Sequence, residues 1–192
     1  MIINCTNNAF QATMEESPEA KLFAYIEKWL KKSNSGGYAV IAGSYALHAL
    51  MCYSGQSEHT NQHCFVPNDI DIYVNASMMM LFMMVVDFIE EHSQYALENF
   101  ESRESYHCNA HSTGIQGILE FYLVSIEKSV KVQLICWNPH IEFSSAYQLG
   151  HAVIQGFDIS VCRVALTNSK ELGKFYFATT KMQLIYTCIV LG

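Results

Sequence analysis

Charged side chains are scarce in this 192-residue chain: Asp, Glu, Lys and Arg together make up 15%, against 51% hydrophobic residues. That balance excludes a disordered chain and supplies a large buried core for one compact domain. Basic residues are scarcer still. Eleven Lys and Arg against 18 Asp and Glu leave a net charge of -7, which argues against a protein that coats nucleic acid without regard to sequence. A pocket that holds a nucleotide with the help of metal ions is compatible with this charge.

Paired cysteine spacing is absent. The seven cysteines (5, 52, 64, 108, 136, 162 and 188) occur singly, with no CxxC motif and an odd total. This excludes a disulfide framework and reads as a reducing compartment, with thiols serving as small apolar residues. No apolar run approaches the roughly 20 residues of a bilayer span. Met78–Val86 is the most apolar stretch and is followed by Asp87, so a core helix is expected there and no membrane partner. Neither a basic start with an apolar run nor an internal repeat is found, and an intracellular, cytoplasmic protein is expected.

What is present reads as alternating helices and strands. Residues 1–16 are expected to form a loose or docking arm, and residues 17–192 the domain. Ser17-Pro18-Glu19 gives a cap, a fixed φ and an acid at a helix start, and Leu22, Phe23, Ile26, Trp29 and Leu30 then recur at helical spacing. A short strand at Tyr38–Ala42 turns through Gly43-Ser44 into a helix to Tyr53. Another strand covers Ile70–Val74. A long helix is predicted over 77–97, its methionines at 78, 79, 80, 83 and 84 packed in the core, followed by an irregular polar stretch from Asn99 to Gly117. Strands at Ile118–Ser125 and Val130–Trp137, a short helix within Pro139–Gly150, a strand at Phe157–Thr167 and a final helix at Thr180–Leu191 complete the order. The class expected is α/β or α+β, a mixed sheet flanked by helices in a single minimal domain.

Two features carry chemistry. Gly43-Ser44 opens a helix directly after a strand, where free N–H groups and the positive end of the dipole favour phosphate. Asn68-Asp69-Ile70-Asp71-Ile72 places two carboxylates on one side of a strand and two isoleucines on the other, since side chains alternate. Two acids about 7 Å apart along a strand repel each other, and a hard divalent cation relieves that repulsion. Mg²⁺ prefers one or two carboxylates with waters and phosphate oxygens.

Strand, Gly43-Ser44, helix, loop and Asp69-Ile70-Asp71 together resemble the nucleotidyltransferase superfamily, the DNA polymerase β-like fold. The match is strongest over residues 38–75, and FDISVCRVAL has the flavour of short nucleotidyltransferase-like proteins of large DNA viruses, which would place the chain in the host cytoplasm. The resemblance implies that Gly43 and Ser44 bind the phosphates of an NTP and that Asp69 and Asp71 ligate Mg²⁺ or Mn²⁺. It implies attack of an acceptor hydroxyl on the α-phosphate with release of pyrophosphate. The acceptor is not identified by the sequence.

The superfamily usually adds a third carboxylate on a later strand. The corresponding place here falls at Gln133, whose oxygen can ligate a metal but which brings no charge and takes no proton. Asp158 is the best substitute in the sequence, and Glu120 a weaker one. Gln133 therefore leaves a second reading open, a catalytically inactive relative that binds a nucleotide or a protein. A third reading, structural zinc, rests on His59, His63 and Cys64 with Cys52, and on His107, Cys108 and His111, which lack paired finger spacing. Arg163, Lys170, Lys174 and Lys181, and the aromatics Phe175, Tyr176 and Phe177, could flank a nucleotide; solvated charges and core filling are the simpler roles.

Overall fold

The computed structural model of the chain describes residues 2–4, 17–33, 36–53, 67–104, 114–157, 163–169 and 174–179. Their elements are β1 (Ile2–Asn4), α1 (Pro18–Lys32), β2 (Ala39–Ala42), α2 (Ser44–Tyr53), β3 (Asp69–Asn75), α3 (Met78–Glu91), β4 (Ala96–Glu104), β5 (Ile115–Val124), β6 (Ser129–Trp137), α4 (Ala146–Gln155), β7 (Val164–Ser169) and β8 (Lys174–Thr179). The strands form one mixed sheet in the order β1-β8-β7-β2-β3-β6-β5-β4. β3 and β6 run parallel and the other neighbouring strands pair antiparallel. The mixed sheet flanked by helices is the fold class expected from the sequence. The first residues of the N-terminal arm dock as β1 against β8.

Strand alternation splits the core in two. Ile41, Ile70, Ile72, Val132, Leu134, Phe121 and Leu166 face α1, α2 and α3, where Phe23, Ile26, Leu50, Leu81 and Phe88 meet them. On the other face, Val40, Ala42, Tyr73, Ile135, Trp137 and Ala165 pack with Leu149, Val153 and Ile154 of α4. That helix lies over β2 and β7. Burial on this scale is the main force that holds the sheet between its helices.

Local chemistry sets the helix ends. The Ser17 hydroxyl accepts from Ala20 N at 3.2 Å, as the sequence suggested. Glu19 is the acid in the first turn of α1, as read from the sequence, and it is also buried and bonded to Lys128 Nζ at 2.7 Å. It ties α1 to the turn between β5 and β6.

Several elements depart from expectation. α3 ends at Glu91 and not at residue 97: His92 leaves helical geometry, its ring Nδ1 lies 3.0 Å from the Phe88 carbonyl, and Tyr95 stacks on Phe88. The stretch from Asn99 onwards is not irregular at first. Ala96–Glu104 is an edge strand with a bulge between Glu98 and Glu101, where Asn99 has φ +51°. Edge strands tolerate charge on both sides, which is why the segment reads as polar. The helix placed within 139–150 starts at Ala146, capped by Ser145, and runs to Gln155. Phe157 therefore follows that helix, and β7 begins at Val164.

The methionines of α3 are not all core. Leu81, Met84, Val85 and Phe88 face the sheet, whereas Met79, Phe82 and Met83 are exposed, Met79 at 68%. A helix lying on a sheet has one buried side, however apolar its other side is. The predicted helix at 180–191 and the histidine and cysteine loops lie outside the described residues. Cys52 lies in α2, and its side chain is not among those described. No helix among the described residues is long and apolar enough to cross a membrane.

Candidate functional site

β2 ends at Ala42, and the chain turns through Gly43 into α2. Gly43 has φ +79°, a left-handed conformation that glycine adopts without the steric cost of a side chain. Its carbonyl accepts from Leu47 N at 3.1 Å, so Gly43 is the first residue held by the helix and Ser44 the first inside it. The N–H groups of that first turn line the mouth of α2.

β3 brings the acids to this mouth. In register, Ala42 pairs with Asp71. Ile70 and Ile72 are wholly buried towards α1, α2 and α3, while Asp69 and Asp71 take the opposite face, with Tyr73 beyond them. Asp71 lies directly on Gly43: a Cβ added there would stand 3.0 Å from Asp71 Oδ2. A glycine at 43 thus serves twice, for the turn and for the close approach of the carboxylate.

Electrostatics couple the pair. Burial pushes the Asp71 carboxyl up to about 7, the negative Asp69 raises it further within that value, and Lys131 pulls in the other direction. The Tyr73 hydroxyl is raised too, by burial and then by Asp71. A carboxylate so held is short of positive charge, and hard oxygen donors with an open glycine beside them fit a divalent cation. Asp69 and Asp71 are the residues that could hold it. Among the described residues no cluster of three or more His, Cys, Asp or Glu side chains is grouped for a metal.

Gln133 lies beside Asp71 in the parallel register, with Lys131 beside Asp69. On its other flank Gln133 faces Glu120 of β5. Its Nε2 donates to Glu120 Oε2 at 2.8 Å, while Glu120 Oε1 forms an ion pair with Lys131 Nζ at 3.2 Å and accepts from Arg103 Nη2 at 3.4 Å. Both oxygens of Glu120 are therefore engaged, which weakens it as a stand-in metal ligand. Sequence reasoning missed this network because it depends on the register of β4, β5 and β6; the charged residues Arg103, Glu120 and Lys131 within strands are its sequence trace. Asp158, Lys170 and Lys181 lie outside the described residues, and the side chains of Lys174, Phe175, Tyr176 and Phe177 on β8 do as well. Arg163 donates through Nε and Nη2 to the Phe157 carbonyl at 2.9 and 2.8 Å.

No family model matches the chain, and no curated protein matches it by sequence. Its fold is similar to solved structures of CCA-adding enzymes, which belong to the nucleotidyltransferase superfamily. A CCA-adding enzyme in complex with CTP superposes with a TM-score of 0.53 at 11% identity, over 91% of this chain and 33% of that one. A complex with ATP gives 0.54 at 11% identity, over 95% and 34%. The Thermotoga maritima enzyme complexed with tRNA gives 0.53 at 11% identity, over 96% and 34%. This chain spans about a third of the length of those enzymes.

Proposed function

We propose that the chain is a metal-dependent nucleotidyltransferase, moving an NMP from an NTP to an acceptor hydroxyl. The observation that carries this reading is the contact of Asp71 with Gly43, which sets a pair of acids at the N-terminal mouth of α2. A nucleotide triphosphate would lie on the N–H groups of that first turn, with the Ser44 hydroxyl as an added donor. Asp69 and Asp71 would hold Mg²⁺ or Mn²⁺. Such ions supply charge neutralisation at the attacking and leaving oxygens of the displacement.

In the transfer, the acceptor oxygen bonds to the α-phosphorus as the bond to the β-phosphate oxygen breaks and pyrophosphate leaves. Gln133 takes no proton, so the acceptor's proton would pass to another base, Asp158 or water. The chain's own contribution is positioning: Gly43 and Ser44 fix the phosphates and the sheet fixes the acids. The similarity in fold to enzymes solved with CTP and ATP makes these the first nucleotides to try.

Gln133 in the third ligand's place favours a second reading, a relative of the same fold that binds a nucleotide without turning it over. Transfer of label from α-labelled ATP or CTP, offered with Mn²⁺ or Mg²⁺ to nucleic-acid, protein and small-molecule acceptors, separates the two. Labelled product that disappears in Asp69→Asn/Asp71→Asn supports transfer. Metal-dependent binding without product supports the second reading, and nucleotide binding indifferent to both substitutions would remove the site altogether.

A further inference from the structure

β6 lies between β3 and β5, so Gln133 has Asp71 on one flank and Glu120 on the other. A side-chain amide has one donating end and one accepting end. The Glu120 carboxylate, paired with Lys131 and Arg103, is the accepting partner, so the end of Gln133 that meets it at 2.8 Å is the NH₂ group. The amide is planar, and committing its nitrogen to β5 leaves its carbonyl oxygen outside that bond, free to be offered to the β3 side. Glu120 cannot swing aside easily, because Lys131 and Arg103 hold its other oxygen. The side chain of Glu120 is 15% exposed.

The geometry points to Glu120 as a positioning residue that fixes the Gln133 amide with its carbonyl oxygen towards Asp69 and Asp71, making Gln133 the neutral third ligand of the cation held by that pair. This rests on the proposed metal site and deepens it. The site would carry two negative ligands in place of three, with the third negative charge displaced one strand outward to Glu120, where it orients a ligand and is neutralised by Lys131 and Arg103. Residues that orient a metal ligand from behind commonly change affinity 10- to 100-fold when removed.

Mn²⁺ binding by the full chain, followed by electron paramagnetic resonance without nucleotide, tests this. Gln133→Leu and Glu120→Leu should each weaken Mn²⁺ binding about 10-fold or more, and the double variant should weaken it no further than Gln133→Leu alone. Losses that multiply in the double variant would show Glu120 acting through its charge and not through Gln133, and would overturn the inference. So would a Glu120→Leu protein that binds Mn²⁺ as the wild type does. A wild-type chain with no Mn²⁺ affinity sinks the metal site and this inference with it. Should Glu120→Leu fail to fold, the unaltered chain still decides: the side-chain carbonyl carbon of Gln133 should shift in its NMR spectrum on titration with Mg²⁺, and its remaining unmoved while the Asp69 and Asp71 carboxyl carbons shift would refute the assignment.

Discussion

Asp71 and Gln133 stand side by side in the one parallel strand pair among the described strands. One is an acid raised by burial, the other an amide whose nitrogen is already committed to Glu120. Between them the sheet offers oxygen atoms and little charge, and the consequences are measurable.

The first concerns pH. The Asp71 carboxyl titrates at about 7 in the folded chain, against 3.8 ordinarily. The folded state thus binds this proton more tightly than the unfolded chain does. Its contribution to stability is complete below about 3.8 and is lost as pH rises through about 7. Denaturant titrations without divalent ions should show Asp71→Asn more stable than wild type at pH 8.5, by on the order of 2–4 kcal/mol, and the gap should close towards pH 5. Equal stabilities at pH 8.5 would contradict the electrostatic account of the site.

Substitution of Gly43 by alanine should act on both backbone and site. The left-handed φ costs a side-chain-bearing residue about 1–2 kcal/mol, and the new methyl meets Asp71 Oδ2 at 3.0 Å. Chemical denaturation should register the loss of stability, and Mn²⁺-dependent ATP binding should fall at least tenfold. Retention of full binding by a folded Gly43→Ala protein would count against the approach of phosphate at this turn.

Lys128→Met should leave the Glu19 carboxylate buried without its cation. Hydrogen bonds to charged groups are worth about 1.5–3 kcal/mol, and half of the Lys128 side chain is exposed, so a loss near 1–2 kcal/mol is expected. Thermal melts should show it, and Glu19→Gln combined with Lys128→Met should recover part of it.

The two sides of α3 should respond oppositely to truncation. Phe88 is fully buried between α1 and the sheet, whereas Phe82 is 47% exposed and leans on Phe100. Phe88→Ala should cost about 3–5 kcal/mol and Phe82→Ala under about 1 kcal/mol. Urea midpoints for the two variants provide the check.

What the sequence disclosed follows how far each feature reaches along the chain. Gly43-Ser44 and Asp69-Ile70-Asp71 are local codes: a turn that needs glycine, and an alternation that needs only a strand. Both were legible, as was the place of Gln133, because β6 has a plain apolar pattern. The grip of Glu120 on Gln133 was not, since it exists only when β5 and β6 pair in one particular register. β4 was hidden by its edge position, where charge replaces the apolar signal. The outer side of α3 misled in the opposite sense: Met79, Phe82 and Met83 carry the composition of a core and lie at the surface.

The parallel pairing of β3 with β6 has a kinetic corollary. Asp71 and Gln133 are distant in sequence, and the hairpin of β5 and β6 can close long before it finds β3. The proposed ligand set would therefore be a late product of refolding: nascent or partly refolded molecules would hold both hairpin and helices yet lack the assembled site, until the last long-range seam is sewn.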